Sequence, residues 1–177
     1  MKPAFEGDVY LRRMTAKTWR GVITVAGSDL VRLGNVGADY VTKVLEREAS
    51  LPTGLDLGGG LGVAIPHVSG VPVDRPAVYV AILERPVMFG LMQAPSDLTP
   101  VRLVFLIAVG AAAAHLGVLQ RVVTAIQDRE FVLSLAASDG ADPGVVRDLA
   151  DRLGAAQVTP LHRVGGHTAP TTESESA

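Results

Sequence analysis

Two long apolar runs, at residues 77–83 and 101–109, constrain the fold of this chain more than any other feature. Both are rich in branched residues and contain few charged residues, which is typical of strands that are buried on both faces of a sheet. Such strands need helices on both sides, and helical patterns do alternate with them along the chain. We therefore predict an α/β domain.

The other apolar periodicities predict the remaining elements. Thr15 is expected to cap a first helix that continues to Gly34-Asn35, and Tyr40 begins a second helix that ends near Ala49. Further strands are predicted at residues 8–12, 61–65 and 87–89, and further helices at residues 111–126 and 145–153. Two polar stretches, at residues 84–86 and 128–130, are interpreted as solvated surface.

Composition divides the chain into one domain and a tail. Residues 1–155 are predicted to form a single domain, because a chain that is 48% apolar can fill a core. Residues 156–177 are rich in Gly, Thr, Ser, Glu and Pro, so we expect a disordered tail. His162 and His167 lie in this tail and are therefore poor candidates for a site.

Charge and cysteine usage exclude several functions. The formal net charge of −2 gives no reason to expect nucleic-acid binding, and the lack of cysteine excludes disulfides, iron–sulfur clusters and thiol catalysis. The histidines and acids show no short ligand cluster, so neither a metal nor another cofactor is expected. The amino terminus lacks the apolar core of a signal peptide, and Pro100, Arg102 and His115 interrupt the longest apolar run. A soluble cytoplasmic protein is the expectation.

His67 is the strongest candidate for chemistry. It follows the predicted strand at residues 61–65 and a proline, and ligand sites in α/β sheets gather where strands end. Near neutral pH, imidazole offers a nitrogen lone pair that can act as a nucleophile. Arg47, at the end of the second helix, could hold phosphoryl oxygens with two N–H groups. His115, near the start of a later helix, could stabilise the same group.

Each of these residues also has a simpler interpretation. His67 could cap a strand exit, His115 could be a polar residue on an alanine-rich helix, and Arg47-Glu48 could be a solvated ion pair. Thr53 could lend a hydroxyl to the site or belong only to a turn. The glycines at 58–60 lack the Gly-Lys-Ser/Thr ending of a Walker loop, so they are interpreted as a turn. The sequence leaves open whether this turn shifts Arg47 relative to His67.

Three motifs together carry a family resemblance. Arg47-Glu48-Ala49 followed by Pro52-Thr53-Gly54, then Val63-Ala64-Ile65-Pro66-His67, then His115-Leu116, occur in this order. The chain therefore resembles, over residues 8–153, the IIA phosphocarriers of the bacterial sugar phosphotransferase system (PTS). Within that system it is similar to the mannitol/fructose type, and most of all to its galactitol-like branch.

The resemblance implies a fold, a reaction and partners. The fold is a mixed β-sheet sandwiched by helices. The reaction is that of a phosphotransferase: His67, through Nε2, accepts a phosphoryl group from the phosphocarrier HPr and passes it to a cysteine of a separate IIB partner. Arg47 clamps the phosphoryl oxygens, His115 is a second stabilising histidine, and Thr53 and Glu48 support the site. The partners are HPr, IIB and indirectly a membrane IIC permease, which takes up galactitol or a related hexitol or hexose.

A regulatory function is the alternative. Nitrogen-type IIA proteins are phosphorylated in the same way, and their phosphorylation state controls partner proteins. The sequence does not distinguish this regulatory function from sugar transport. Either function requires docking to other proteins, and we expect exposed apolar residues around His67, namely Val68, Val71 and Met92, to form the docking surface.

Overall fold

The computed structural model describes residues 4–162. The strands are β1 (Asp8–Met14), β2 (Leu55–Asp56), β3 (Gly62–Ala64), β4 (Ala77–Gly90), β5 (Leu98–Ala108) and β6 (Thr159–Pro160). The helices are α1 (Trp19–Arg32), α2 (Tyr40–Ser50), α3 (Ala112–Ile126), α4 (Arg129–Ala137) and α5 (Pro143–Leu153). No helix within these residues combines the length and the apolar character that crossing a membrane requires.

The described strands form one mixed sheet in the order β2-β3-β5-β4-β1-β6. The pairs β3–β5, β4–β1 and β1–β6 are parallel, whereas β2–β3 and β4–β5 are antiparallel. Apolar residues of α1 and α2 pack on one face, and those of α3, α4 and α5 pack on the other. The predicted class, an α/β fold with a mixed sheet sandwiched by helices, is confirmed.

The two apolar runs lie at the centre of the sheet, as β4 and β5. Their long pairing, from Ala77 opposite Ala108 to Gly90 opposite Leu98, explains why both runs are buried on both faces. The separate strand predicted at residues 87–89 is wrong, because β4 continues through it to Gly90. The interruption that suggested two strands is an irregularity in the register between Ile82 and Val87, where a proline cannot donate to the ladder.

Two helix starts differ from the sequence prediction. Thr18, and not Thr15, caps α1, since its Oγ1 accepts a hydrogen bond from the Gly21 N–H at 3.1 Å. The sequence reasoning missed α4 altogether, because the polar residues at 128–130 were interpreted only as surface. They are the start of this helix: Asp128 Oδ1 accepts from the Phe131 N–H at 3.1 Å and thereby caps it.

Part of the predicted tail belongs to the fold. Residues 156–162 are described, and within them Thr159–Pro160 pairs with Tyr10 and Leu11 of β1 while Val158 is buried. The disorder predicted from residue 156 is therefore wrong for this short stretch. The remainder of the predicted tail, including His167, lies outside the described residues, and His162 is exposed.

Candidate functional site

The main chain of His67 is held beside the carboxyl-terminal end of β5. His67 forms an isolated parallel bridge with Ile107 of β5, and the Ile107 N–H donates to the Pro66 carbonyl at 3.0 Å. The preceding residue, Ile65, is buried in the core. His67 itself is half-buried, so its ring is held by the sheet while part of it faces solvent.

A hydrogen bond determines which nitrogen of His67 is available. Nδ1 lies 2.7 Å from the Ile65 carbonyl oxygen. A carbonyl oxygen can only accept, so Nδ1 must carry the hydrogen. In the neutral ring, Nε2 then holds the lone pair, and Nε2 is the nitrogen that can attack a phosphorus atom.

His115 lies beside His67. The two ring centroids are 5.2 Å apart and the rings are tilted by 58°. Nδ1 of His115 is 3.3 Å from the Val109 carbonyl oxygen, which favours the tautomer with the hydrogen on Nδ1. In that tautomer Nε2 of the neutral ring is an acceptor, so only protonated His115 donates a hydrogen bond from both nitrogens.

Arg47 supplies an unsatisfied donor. It lies in the last turn of α2, and its Nη1 is buried without a hydrogen-bond partner among the described residues. A buried donor without a partner is costly to stability and is rare in folded proteins. An anion bound here would provide the missing acceptor.

The electrostatics favour neutral His67. Burial lowers the pKa of His67, and the neighbouring His115 and the positive charge of Arg47 lower it further, against the opposing hydrogen bond to Ile65. The ring therefore keeps its Nε2 lone pair to a lower pH than an ordinary histidine.

Glu48 and Thr53 form a buried network behind the site. The Glu48 carboxylate, which is only 3% exposed, accepts from the Thr53 main-chain N–H at 2.9 Å and from the Thr53 hydroxyl at 3.0 Å. Thr53 Oγ1 in turn accepts from the Ile65 N–H at 3.0 Å. These bonds connect the end of α2 to the residue whose carbonyl holds His67.

The simpler interpretations of this segment therefore fail. The predicted solvated Arg47-Glu48 ion pair is absent within residues 4–162, because Glu48 faces inward to Thr53 and Nη1 of Arg47 has no partner. Burial raises the pKa of Glu48, and the hydrogen bonds from Thr53 oppose this only in part. Thr53 is buried and bonds to both Glu48 and Ile65.

The apolar surface near the site differs from the predicted one. Val71 is only 8% exposed and belongs to the core, and Val68 is partly buried against that core, so the prediction is wrong for Val71. Met92 is exposed, as predicted. Sequence reasoning missed Leu51 and Leu116, which are both 55% exposed. The available signal was their position, since Leu51 ends the helix of Arg47 and Leu116 follows His115.

The described residues show no grouping of three or more His, Cys, Asp or Glu side chains that could hold a metal ion. The polar groups that the described residues place here are the imidazoles of His67 and His115. The nucleophilic nitrogen of His67 lies beside a second imidazole, and the end of α2 carries a buried guanidinium N–H that has no partner in the described chain. This combination suits a transferable anionic group better than an apolar ligand.

Comparison with known proteins gives a family. The family model described as "Phosphoenolpyruvate-dependent sugar phosphotransferase system, EIIA 2" matches residues 5–142. No curated protein matches the chain by sequence.

Solved structures show the same fold. The crystal structure of IIA mannitol from Escherichia coli is 26% identical, with a TM-score of 0.62, over 82% of this chain and 95% of that chain. The complex of enzyme IIA mannitol with phosphorylated enzyme IIB mannitol from E. coli is 26% identical, with a TM-score of 0.61, over 82% and 93% of the two chains. Nitrogen regulatory protein IIA-Ntr from Neisseria meningitidis is 26% identical, with a TM-score of 0.61, over 82% and 92%.

Proposed function

Because the chain belongs to the EIIA 2 family of the phosphoenolpyruvate-dependent sugar phosphotransferase system, we propose that it carries a phosphoryl group on Nε2 of His67. The observation on which this rests is the 2.7 Å hydrogen bond from His67 Nδ1 to the Ile65 carbonyl. It leaves Nε2 with the lone pair, in a ring that lies beside His115 and whose pKa is lowered by burial, by His115 and by the charge of Arg47.

The first transfer exchanges one N–P bond for another. The Nε2 lone pair of His67 attacks the phosphorus of the phosphohistidine of HPr, the new N–P bond forms, and the N–P bond of HPr breaks. No proton leaves Nε2, since it carried none. The phosphorylated ring keeps its hydrogen on Nδ1, and the Ile65 carbonyl stabilises the positive charge that develops on the ring.

The second transfer releases the group. A cysteine thiolate of a IIB partner attacks the phosphorus, an S–P bond forms, and the N–P bond electrons return to Nε2 of His67. A IIB partner is supported by the similar E. coli structure, in which IIA mannitol is bound to phosphorylated IIB mannitol. In this proposal a membrane IIC permease acts after IIB, so the carrier would work in the cytoplasm.

Arg47 and His115 are proposed to stabilise the phosphoryl group during its transfer. The three non-bridging oxygens of a transferring phosphoryl group carry most of its charge. The buried Nη1 of Arg47 can donate to one of them, and protonated His115 can donate from Nε2 to another. Thr53 and Glu48 touch no reacting atom and act as positioning residues through Ile65.

The sugar is proposed only as a class. Galactitol, mannitol, fructose or a related hexitol or hexose would be taken up by the permease, and a IIA protein passes its phosphoryl group to IIB without contacting the sugar. Regulation is the second candidate function, because the similarity to IIA-Ntr equals that to IIA mannitol at 26% identity. Transfer of phosphate from the purified phosphoprotein to a IIB cysteine would favour transport, and failure to transfer to any PTS IIB tested would favour regulation.

Intact-mass spectrometry tests the carrier function. The wild-type protein, incubated with phosphoenolpyruvate, enzyme I and HPr, should gain one acid-labile phosphoryl group of about 80 Da. His67→Ala should gain nothing, whereas the matched control His162→Ala, which changes an exposed histidine, should gain the group as the wild type does. A gain in His67→Ala, or no gain in the wild type with a competent HPr, would contradict the proposal.

A further inference from the structure

A second cationic site lies at the other end of β3 from His67. An open cavity of about 260 Å³ lies between the β2–β3 turn, β5 and α4. Its lining includes Gly59 and Gly60 of the turn, Arg102 of β5, and Arg129 and Leu133 of α4. No carboxylate lines it. Neither the family resemblance nor the phosphoryl chemistry at His67 accounts for this cavity.

Both arginines are held in place by carbonyl oxygens. Arg102 donates from Nε to the Leu83 carbonyl at 3.0 Å, and Arg129 donates from Nη1 to the Leu57 carbonyl at 2.9 Å. Carbonyls orient a guanidinium but do not neutralise it. Within residues 4–162 neither arginine forms an ion pair, whereas Arg12, Arg13, Arg32, Arg75 and Arg152 all do. Two oriented guanidinium groups therefore line one cavity, and no carboxylate lines it with them.

The glycine turn adds main-chain donors. Gly58, Gly59 and Gly60 have φ angles of +84°, +64° and +73°, a region that other residues rarely adopt. The Gly58 N–H donates to Asp56 Oδ1 at 2.8 Å, but the N–H groups of Gly59 and Gly60 bond to nothing in the described part of the chain. A Cβ at residue 59 would lie 2.9 Å from Arg129 Nη2, so a glycine there leaves room for the guanidinium.

The charge and size of the cavity select the ligand. Two guanidinium groups match the two negative charges of a phosphomonoester, and their planar forks suit its terminal oxygens. The volume of about 260 Å³ lies just below the ~300–1,000 Å³ typical of sites for drug-sized ligands. Leu133, which is 47% exposed, supplies an apolar wall beside the charges. We propose that this cavity binds the phosphomonoester of a small metabolite, at a site separate from His67.

Amide NMR of the ¹⁵N-labelled full chain tests this inference, with glucose 6-phosphate as the probe. Saturable shifts of the Gly59 and Gly60 amides are expected, and unphosphorylated glucose should cause none. Arg102→Gln and Arg129→Gln should each weaken binding by about tenfold or more, since each removes charge-assisted hydrogen bonds. Arg147→Gln is the matched control, because it removes an exposed arginine of α5 that lies outside the cavity.

Several outcomes would overturn the inference. The Gly59 and Gly60 amides could show no saturable chemical-shift change. The affinity for glucose 6-phosphate could be unchanged in both cavity variants, or Arg147→Gln could lose as much affinity as they do. Equal affinity for inorganic phosphate would overturn the assignment to a metabolite. His67→Ala should bind the probe like the wild type, and loss of binding there would place the ligand at His67 instead. Far-UV circular dichroism of each variant must match the wild type, and Arg129→Gln alone decides the test if Arg102→Gln fails to fold.

Discussion

His67 and Ile65 are joined by a 2.7 Å hydrogen bond in which the imidazole Nδ1–H donates to the main-chain carbonyl oxygen. The N–H of the same Ile65 donates to Thr53, which is itself bonded to the buried carboxylate of Glu48. The orientation of the imidazole therefore depends on residues at the end of α2 that do not touch it. Replacing Thr53, which bonds to both Ile65 and Glu48, should therefore affect the site without removing any atom that touches the imidazole.

Thr53→Val should impair both the fold and the site. The substitution leaves the Ile65 N–H without its acceptor and removes one donor from a buried carboxylate, so we expect a loss of about 1–3 kcal/mol in the free energy of unfolding. The rate of phosphorylation at saturating phospho-HPr should also fall. Thr53→Ser keeps the hydroxyl and should restore most of the rate; a Thr53→Val protein that reacts as fast as the wild type would exclude a positioning function.

Glu48→Gln should change the pH dependence of stability. Burial raises the pKa of Glu48 above its usual value of 4.5, so the native state favours the protonated acid, and stability is lost as the pH rises through the native pKa. A glutamine cannot ionise, and its amide oxygen can still accept from Thr53. The free energy of unfolding of the variant, relative to wild type, should therefore rise as the pH is raised above 4.5 in urea titrations. A constant difference would show that Glu48 does not titrate abnormally.

The pKa of His67 should lie below 6.5 and should depend on its neighbours. Burial is the largest cause of this lowering, and His115 and Arg47 add to it. Because the neutral ring is the nucleophile, phosphoryl acceptance should persist below pH 6.5, the ordinary value for histidine. NMR titration of the ring proton of His67 should show a higher pKa in Arg47→Gln and in His115→Gln. Unchanged values in both variants would mean that burial alone is responsible.

Arg47→Met should separate stability from activity. The wild-type Nη1 is a buried donor without a partner among residues 4–162, so its removal should leave the free energy of unfolding unchanged or raise it by about 1 kcal/mol. Transfer from phospho-HPr should nevertheless fall by about 10²–10³, as for the loss of an oxyanion donor. Arg47→Lys should not restore the rate, because an ammonium cannot present a planar pair of donors. A variant that is strongly destabilised would instead assign a structural function to Arg47.

Asp29→Asn should destabilise the fold without a specific effect at His67. Asp29 is buried in α1 and accepts from Tyr79 and Arg12, both at 2.6 Å, and from Arg32 at 3.2 Å. Breaking a buried pair of this kind typically costs about 3–5 kcal/mol. Urea titration measures the loss, and Asp151→Asn on the exposed face of α5 is the control. Equal stability of the two variants would contradict the prediction.

The same network should make the protein sensitive to acid. Burial raises the pKa of Asp29, but the hydrogen bonds from Tyr79, Arg12 and Arg32 outweigh it, and the net pKa is below 3.8. A lowered carboxyl pKa contributes stability that is present above the unfolded value and lost as the pH falls through the native value. The difference between the wild type and Asp29→Asn should accordingly shrink below about pH 4.

The fold class was readable from the sequence because it depends on local composition. The apolar runs at residues 77–83 and 101–109 are buried strands, and the helices predicted from Tyr40 and up to residue 153 are present. Helix starts were less predictable, because several polar residues compete for the capping position. Thr15 and Thr18 are both plausible caps for α1, and only the geometry of the first turn selects Thr18.

Part of the candidate site could also be predicted from local composition, because this composition indicates where strands and helices begin and end. His67, Arg47 and His115 stand at predicted element ends, and the structure places the rings of His67 and His115 side by side. Their protonation and partners were not readable, since these depend on contacts between residues distant in the chain. The sequence alone could not show that Thr53 accepts from Ile65, or that the charged Glu48 points into the core rather than to solvent.

Residue type and periodicity thus determined the α/β class, the two central strands and the position of His67 shortly after another strand. Only tertiary structure decided the tautomer of His67, the burial of Val71 and the cavity that Arg102 shares with Arg129. The physical reason is the distance along the chain over which each interaction acts. Periodicity and capping act over a few neighbouring residues, whereas burial, desolvation and hydrogen bonding between β3, β5, α2 and α4 depend on how the sheet and its two helical layers pack.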